Sequence, residues 1–473
     1  MKSPDAPDLS RRRFIGQACC AAVGATGFLS SLASLRLIGA AANPAGQAIG
    51  PSATAGDYKA LVCLFLQGGN DANNLIVPTD TATYAAYLAA RTTLALPVAG
   101  VLPIAPRTSD GRSWGLHPSL AGIQGLFGSG QAALLANVGT LVQPTTLTQY
   151  KSGKTPLPPQ LFSHSDQQVQ WQSSVPDKVP TTGWGGRLAD LVNAFNSNNQ
   201  ISMSVSLAGT NFFQVGKQVS QYAISPGGAV TFSGTTGGNN PLRYAAQKDL
   251  FAQGQGALFD AAFAGISSGA IANSDLVNTV LAGAPALATA FPNTSLGNQL
   301  KMVARLISTS AAFGLKRQVF FCQVGGYDLH AAQVDPANPL AGSHATLLTQ
   351  LSQALTAFYA ATVELGVASQ VTAFTASDFG RTLSSNGDGS DHGWGNHQLV
   401  VGGAVKGGDI YGAMPVLTVN GPDDTGRGRW IPTTSVDEYS GTLATWFGVS
   451  GTDLPAVLPN ISRFAHPNLG FLA

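Results

Sequence analysis

The sequence predicts an α/β fold built on a doubly wound, mostly parallel sheet. Three observations carry that reading. Apolar runs of strand length (Leu61–Leu66, Ala132–Val138, Gln318–Val324, Val371–Ala376) stop abruptly at turn-forming residues. Helical patterns separate them. Acids follow three of the runs, Asp71, Asp328 and Asp378, where open α/β sheets keep their chemistry.

Composition bounds the function. The 473 residues are 44% hydrophobic and only 10% charged, so a large core is covered by a surface of neutral polar residues and glycine. A formal net charge of +1 offers no basic field to nucleic acid, which is excluded as a partner class. Four cysteines are too few for a disulfide scaffold. Cys63 and Cys322 lie inside apolar runs and read as small buried hydrophobes.

In chain order, Ser10-Arg11-Arg12-Arg13-Phe14-Ile15 fits the twin-arginine export pattern. An apolar, small-residue stretch follows, and Ala40-Ala41-Ala42 offers a cleavage site. Arg36 interrupts the stretch, which argues against a stable membrane span. Residues 1–42 are therefore expected to be a signal peptide, 43–58 a linker and 59–473 the mature domain. The expected location is periplasmic or secreted, with the twin-arginine export machinery as a partner. Because that route carries folded proteins, it raises the expectation of a metal loaded before export.

After the first strand, Gly68 and Gly69 permit a sharp turn before Asp71. Helices are expected at Tyr84–Arg91 and about Ser119–Phe127. Phe162-Ser163-His164-Ser165-Asp166 reads as a helix start. Ser163 or Ser165 there is either a plain cap or a nucleophile activated by a metal. His164, in the same polar loop, has no evident structural duty. A helix is expected at about Leu188–Phe195. Residues 201–240 read as surface hairpins or a lid, within an insertion at about 200–300 that continues into Ala/Leu-rich helices. Leu300–Ala312 is the clearest amphipathic helix.

The second strand cluster ends in Asp328-Leu329-His330, a carboxylate and an imidazole two residues apart. Such a pair suits zinc, manganese or iron, and carboxylate-rich versions suit calcium or magnesium. His344, at the start of a long helix, reads as a surface residue. After Val371–Ala376 come Asp378, Arg381, Asp391, His392 and His397. If the strands are parallel neighbours, these groups meet at one sheet edge as a mono- or dinuclear metal site. Arg381 can hold a substrate oxyanion through its planar fork or pair with a carboxylate.

The pieces LQGGNDANNLIVP, SHSDQQ, GGYDLHAAQ, ASDFGRT and SDHGWGNHQLVVGGAVKGGDIYG resemble, in order, a bacterial exported family known as domain of unknown function 1501. That family falls in the alkaline phosphatase/sulfatase-like superfamily. The resemblance spans about Leu61–Val449. It implies a three-layer α/β/α fold and metal-dependent hydrolysis of phosphate or sulfate esters. One or two divalent ions (zinc, manganese or calcium) would be the cofactor, and a small-molecule or polysaccharide ester the substrate. By position, Asp71, Asp328, His330 and Asp378 resemble metal ligands. Phe379 stands where a histidine would be, and His392 can replace it. Asp391 and His397 complete the candidate ligands, with Ser163, His164, Ser165 and Arg381 as candidate catalytic residues. No sulfatase-type Cys-x-Pro-x-Arg motif is present, so formylglycine chemistry is not expected. The rival reading is a non-catalytic exported protein of the same fold that binds polysaccharide or envelope material.

Overall fold

The computed structural model describes residues 58–197, 201–229, 231, 235, 237–253 and 258–473. The expected signal peptide and nearly all of the expected linker lie outside the described residues. The chain divides into two compact units. The larger comprises Gln47–Thr231 and Asn273–Ala473. The described part of the smaller lies within Phe232–Ala272 and is helical. In it the rings of Phe251 and Phe263 meet edge-on.

Fourteen strands are described in the larger unit: β1 Lys59–Leu66, β2 Ile76–Pro78, β3 Leu102–Ile104, β4 Trp114–Leu116, β5 Ala132–Gly139, β6 Ser204–Ser206, β7 Tyr222–Ala223, β8 Arg317–Val324, β9 Val371–Ser377, β10 Arg381–Ser385, β11 Ser390–His392, β12 Asn396–Gly402, β13 Ile410–Tyr411 and β14 Thr434–Ser435. The main sheet runs β13-β5-β12-β9-β1-β8-β6-β7, with β14 also on β5. Among its described pairings, those of β12 with β5 and β9 are antiparallel and the rest are parallel. The predicted mostly parallel α/β class is thus the observed one.

Alternation explains the layering. In β1 every residue from Ala60 to Leu66 is buried, on both faces. Only a strand covered by helices on both sides reads that way. Each fully buried Leu, Val or Phe contributes about 1.5–3 kcal/mol. The helices Ser295–Ser308 and Ser343–Glu364 pack together, and Trp184–Val192 and Val436–Phe447 pack on the sheet as well. The ring of Tyr439 meets Phe374 of β9 and Trp171 of the helix His164–Ser173. Cys63 and Cys322 are buried free thiols, as their apolar runs predicted.

Residues 201–223 differ from expectation. They form no hairpin: β6 pairs parallel with β8, and β7 pairs parallel with β6. Both extend the sheet, because Met203 and Val205 are buried in the core.

The center of the sheet sets up the site. Leu66 lies level with Val324 on one side and Ser377 on the other. The chain therefore leaves β8, β1 and β9 at the same height and edge. Gly68 and Gly69 adopt φ +116° and +81° there. A Cβ on Gly68 would lie 2.4 Å from the Asp328 nitrogen, and one on Gly69 2.5 Å from the Phe379 ring. Glycine is what lets the β1 turn nest against the turns after β8 and β9.

Candidate metal centre

Four side chains from three regions converge at this edge. Asp328 and His330 follow β8. His392 ends β11, where it pairs across the hairpin with Arg381 of β10. His164 is the first residue of the helix His164–Ser173. Ligand-type atoms of His164, Asp328 and His392 all lie within 4.8 Å of one another. His164 Nε2 is 3.1 Å from His392 Nε2 and 3.4 Å from Asp328 Oδ2. His392 Nε2 is 3.3 Å from Asp328 Oδ1. His330 Nε2 adjoins on the other side, 2.9 Å from His392 Nε2 and 3.0 Å from Asp328 Oδ1.

The opposite ring nitrogens decide what this cluster wants. His164 Nδ1 is 2.6 Å from Asp378 Oδ2, and His392 Nδ1 is 2.7 Å from the Phe162 carbonyl. His330 Nδ1 is 3.2 Å from Asp391 Oδ1. Each of these partners can only accept, so each Nδ1 carries the proton. The Nε2 of each ring faces its neighbours and Asp328, the orientation of an imidazole held through Nδ1 with Nε2 turned toward a common point. With Nε2 unprotonated, three such rings beside a carboxylate would make a donor set for a cation. The separations are close to the about 3.3 Å edge of a tetrahedron with zinc–nitrogen bonds of about 2.0–2.1 Å.

Burial chiefly, with the Arg381 charge, outweighs the Phe162 carbonyl and lowers the His392 pKa. Burial opposes ionisation of Asp328, but Arg381 overrides it and lowers that carboxyl. The Phe379 ring, where a histidine was expected, lies 4.7 Å from the His164 ring and 4.6 Å from His392. It walls the cluster rather than joining it. Phe162 adopts φ +72°, the left-handed conformation that turns its carbonyl toward His392.

Several sequence-based assignments change. Asp378 is buried and outside the converging atoms. It accepts from His164, from Gln168 Nε2 at 2.9 Å and from the Gly68 amide at 3.2 Å, so it orients a ligand. Asp391 likewise orients His330 and pairs with Arg427 at 2.5 Å. His164, expected as a catalytic residue, stands among the ligand atoms. Asp71 is elsewhere: it ion-pairs with Arg91 and accepts from Gln333 and the Asn73 amide. Burial opposes its ionisation, yet the Arg91 charge, with the hydrogen bonds from Arg91 and Gln333, prevails and its pKa is lowered. His397 is buried on β12, its Nδ1 accepting the Asn137 amide at 3.0 Å. His344 is no surface residue. It is 1% exposed, with Nε2 3.1 Å from Asn70 Oδ1.

Arg381 is also reassigned. Its side chain is fully buried and donates to the carbonyls of Gly68, Gly69, Tyr327 and Ser390 and to Asp328. It ties the three turns together and has no fork left for a substrate. Ser163 occupies the cap position without capping; its Oγ donates to Asp166 Oδ2 at 2.5 Å. Ser165 Oγ is 3.3 Å from Ser163 Oγ.

The fold and the site define the class: a mostly parallel α/β protein with a His/Asp cluster, His164, Asp328 and His392 with His330 adjoining, at the carboxyl edge of its sheet. The chain belongs to the family described as "Protein of unknown function (DUF1501)", matched over residues 58–425. No curated protein matches the sequence. Among solved structures, the chain is similar to the sulfatase PsFucS1 from Pseudoalteromonas sp., with 12% identity, TM-score 0.36, and 90% of this chain and 73% of that one covered. It is similar to Ps i-CgsB, solved in complex with k-i-k-neocarrahexaose, with 11% identity, TM-score 0.35, and 87% and 77% covered. A mutant of the alkaline phosphatase PafA shares 13% identity, TM-score 0.25, with 70% and 64% covered.

Proposed function

We propose that the protein is an exported hydrolase of phosphate or sulfate esters that works with one divalent cation. The observation that carries the reading is the set of three imidazoles, each with Nδ1 committed and Nε2 turned toward Asp328 or its imidazole neighbours. Nitrogen-rich donors favour zinc over calcium or manganese, which prefer oxygen ligands. A cation there would supply Lewis-acid polarisation of an ester oxygen.

The chain's own residues do the rest. Asp378, Asp391 and the Phe162 carbonyl fix the three rings. Ser163 is the proposed nucleophile, since Asp166 Oδ2 is placed to take the proton from its Oγ. Phe379 and the buried turns keep water from the rear of the rings. Asp71 does not enlarge the centre to two ions, because Arg91 already supplies its positive charge. Membership of the alkaline phosphatase/sulfatase-like superfamily is supported by the motif resemblance and the mostly parallel sheet. Export through the twin-arginine machinery to the periplasm or beyond is supported by Ser10–Ile15. The substrate is a small-molecule or polysaccharide ester.

The spent guanidinium of Arg381 favours the second reading, a binding protein without catalysis. The test is to assay metal-loaded protein on aryl phosphate and aryl sulfate esters. Turnover of one ester, lost with chelator and in Ser163→Ala, is expected. A metal-loaded protein inert toward both classes would leave the binding reading.

A further inference from the structure

With Arg381 committed to backbone carbonyls, an anionic ester at the centre needs another positive group. Two arginines stand nearby in the segment before β14. Arg427 is half exposed, but its Nη1 pairs with Asp391. Arg429 differs. Its backbone is held from both sides: its amide donates to Asp424 Oδ1 at 2.9 Å, and its carbonyl accepts from the Thr425 amide at 3.1 Å. Its side chain is half-buried and also held. Nε donates to the His392 carbonyl at 2.8 Å, and the guanidinium carbon lies 4.8 Å from the Phe162 ring centroid. Both terminal nitrogens, Nη1 and Nη2, are without a hydrogen bond or ion pair to any described residue.

We infer that Arg429 is the substrate-binding residue for a tetrahedral oxyanion, the phosphate or sulfate group of the ester. The inference rests on the hydrolase reading above. A planar guanidinium oriented by stacking and by its Nε, with its Nη fork unspent, is the arrangement that grips such an oxyanion by two parallel hydrogen bonds. It is attached to the centre through one residue: His392 gives its carbonyl to Arg429 and its Nε2 to the cluster. The stacked Phe162 is the residue whose carbonyl fixes the His392 ring. The fork and the cluster are thus joined through His392 and Phe162, and an anionic group would suit that pairing better than a neutral one.

The rival explanation is that Arg429 only steadies His392. Arg429→Gln separates the two. Its amide can still donate to the His392 carbonyl but carries no charge and no fork. The experiment measures metal content by mass spectrometry and affinity for inorganic phosphate and sulfate by calorimetry, in wild type and in Arg429→Gln. The expected result is an unchanged metal content and an anion affinity about 10- to 100-fold weaker, the scale of losing a charged hydrogen bond. Arg429→Lys, which keeps charge without the fork, should fall between. Anion affinity within twofold of wild type in metal-loaded Arg429→Gln would overturn the inference, as would loss of the metal from that variant. Wild type that holds metal but neither anion would overturn it too. Wild type that holds no metal would instead strike the hydrolase reading.

Discussion

Asp71 and Asp328 follow adjacent parallel strands and leave the sheet at the same edge, yet their charges are balanced in opposite ways. Asp71 is buried and receives its counter-charge from within the chain, through Arg91. Asp328 is half exposed, and besides Arg381 it faces the ring nitrogens of His164, His330 and His392. Those rings are held by acceptors on their far side, with Nε2 turned toward Asp328. The Asp71 corner is complete. The Asp328 corner, with Arg381 on one side and three imidazoles on the other, is the one proposed to take a cation as well.

The largest effect should come from the incomplete corner. His392→Ala or His164→Ala should weaken metal binding more than about 100-fold, beyond the range typical of outer partners, as measured by competition with a chelating dye. Next, Asp71→Asn should leave metal content intact but cost about 3–5 kcal/mol of stability, because it strands a buried Arg91. Urea unfolding checks that cost; a loss of metal instead would join the two corners into one site. Asp378→Asn removes the charge that orients His164 and should weaken metal affinity about 10- to 100-fold, with little change in fold.

The complete corner also carries a pH dependence. Burial, chiefly, lowers the His344 pKa to about 4 and the His117 pKa to about 3. Both rings are neutral when folded, while the unfolded chain protonates near about 6.5. The unfolded state thus binds more protons below that value. Their contribution is complete above about pH 6.5 and is lost as pH falls toward 4, by up to about 1.4 kcal/mol per pH unit for each ring. The urea midpoint should fall between pH 7 and 4.5, and less steeply in His344→Asn. An identical slope in that variant would show that His344 is not responsible.

The frame of this site was legible in the sequence because it depends on local signals. Apolar runs placed β1, β8 and β9, and the acids and histidines after them placed Asp328, His330 and His392. What could not be read was orientation. Arg91 lies 20 residues past Asp71, and nothing local says that its helix turns it inward. Arg381 looked available because the β10–β11 hairpin that buries it is set by the tertiary fold. His164 lay far from the other ligands in sequence, and its only signal was a histidine without a structural duty in a polar loop. β6 lies in a piece that reads as β-like, but its parallel pairing with β8, and β7 beside it, were missed because pieces of three and two residues are too short to show a period.

The most direct test is the metal content of protein purified in native form without chelator, by mass spectrometry, beside Asp328→Ala/His392→Ala. One equivalent of a transition metal per chain, absent from the double variant, is the predicted result. Two equivalents per chain would contradict the role given to Arg91. None, even after reconstitution with zinc or manganese, would contradict the cation-seeking centre itself.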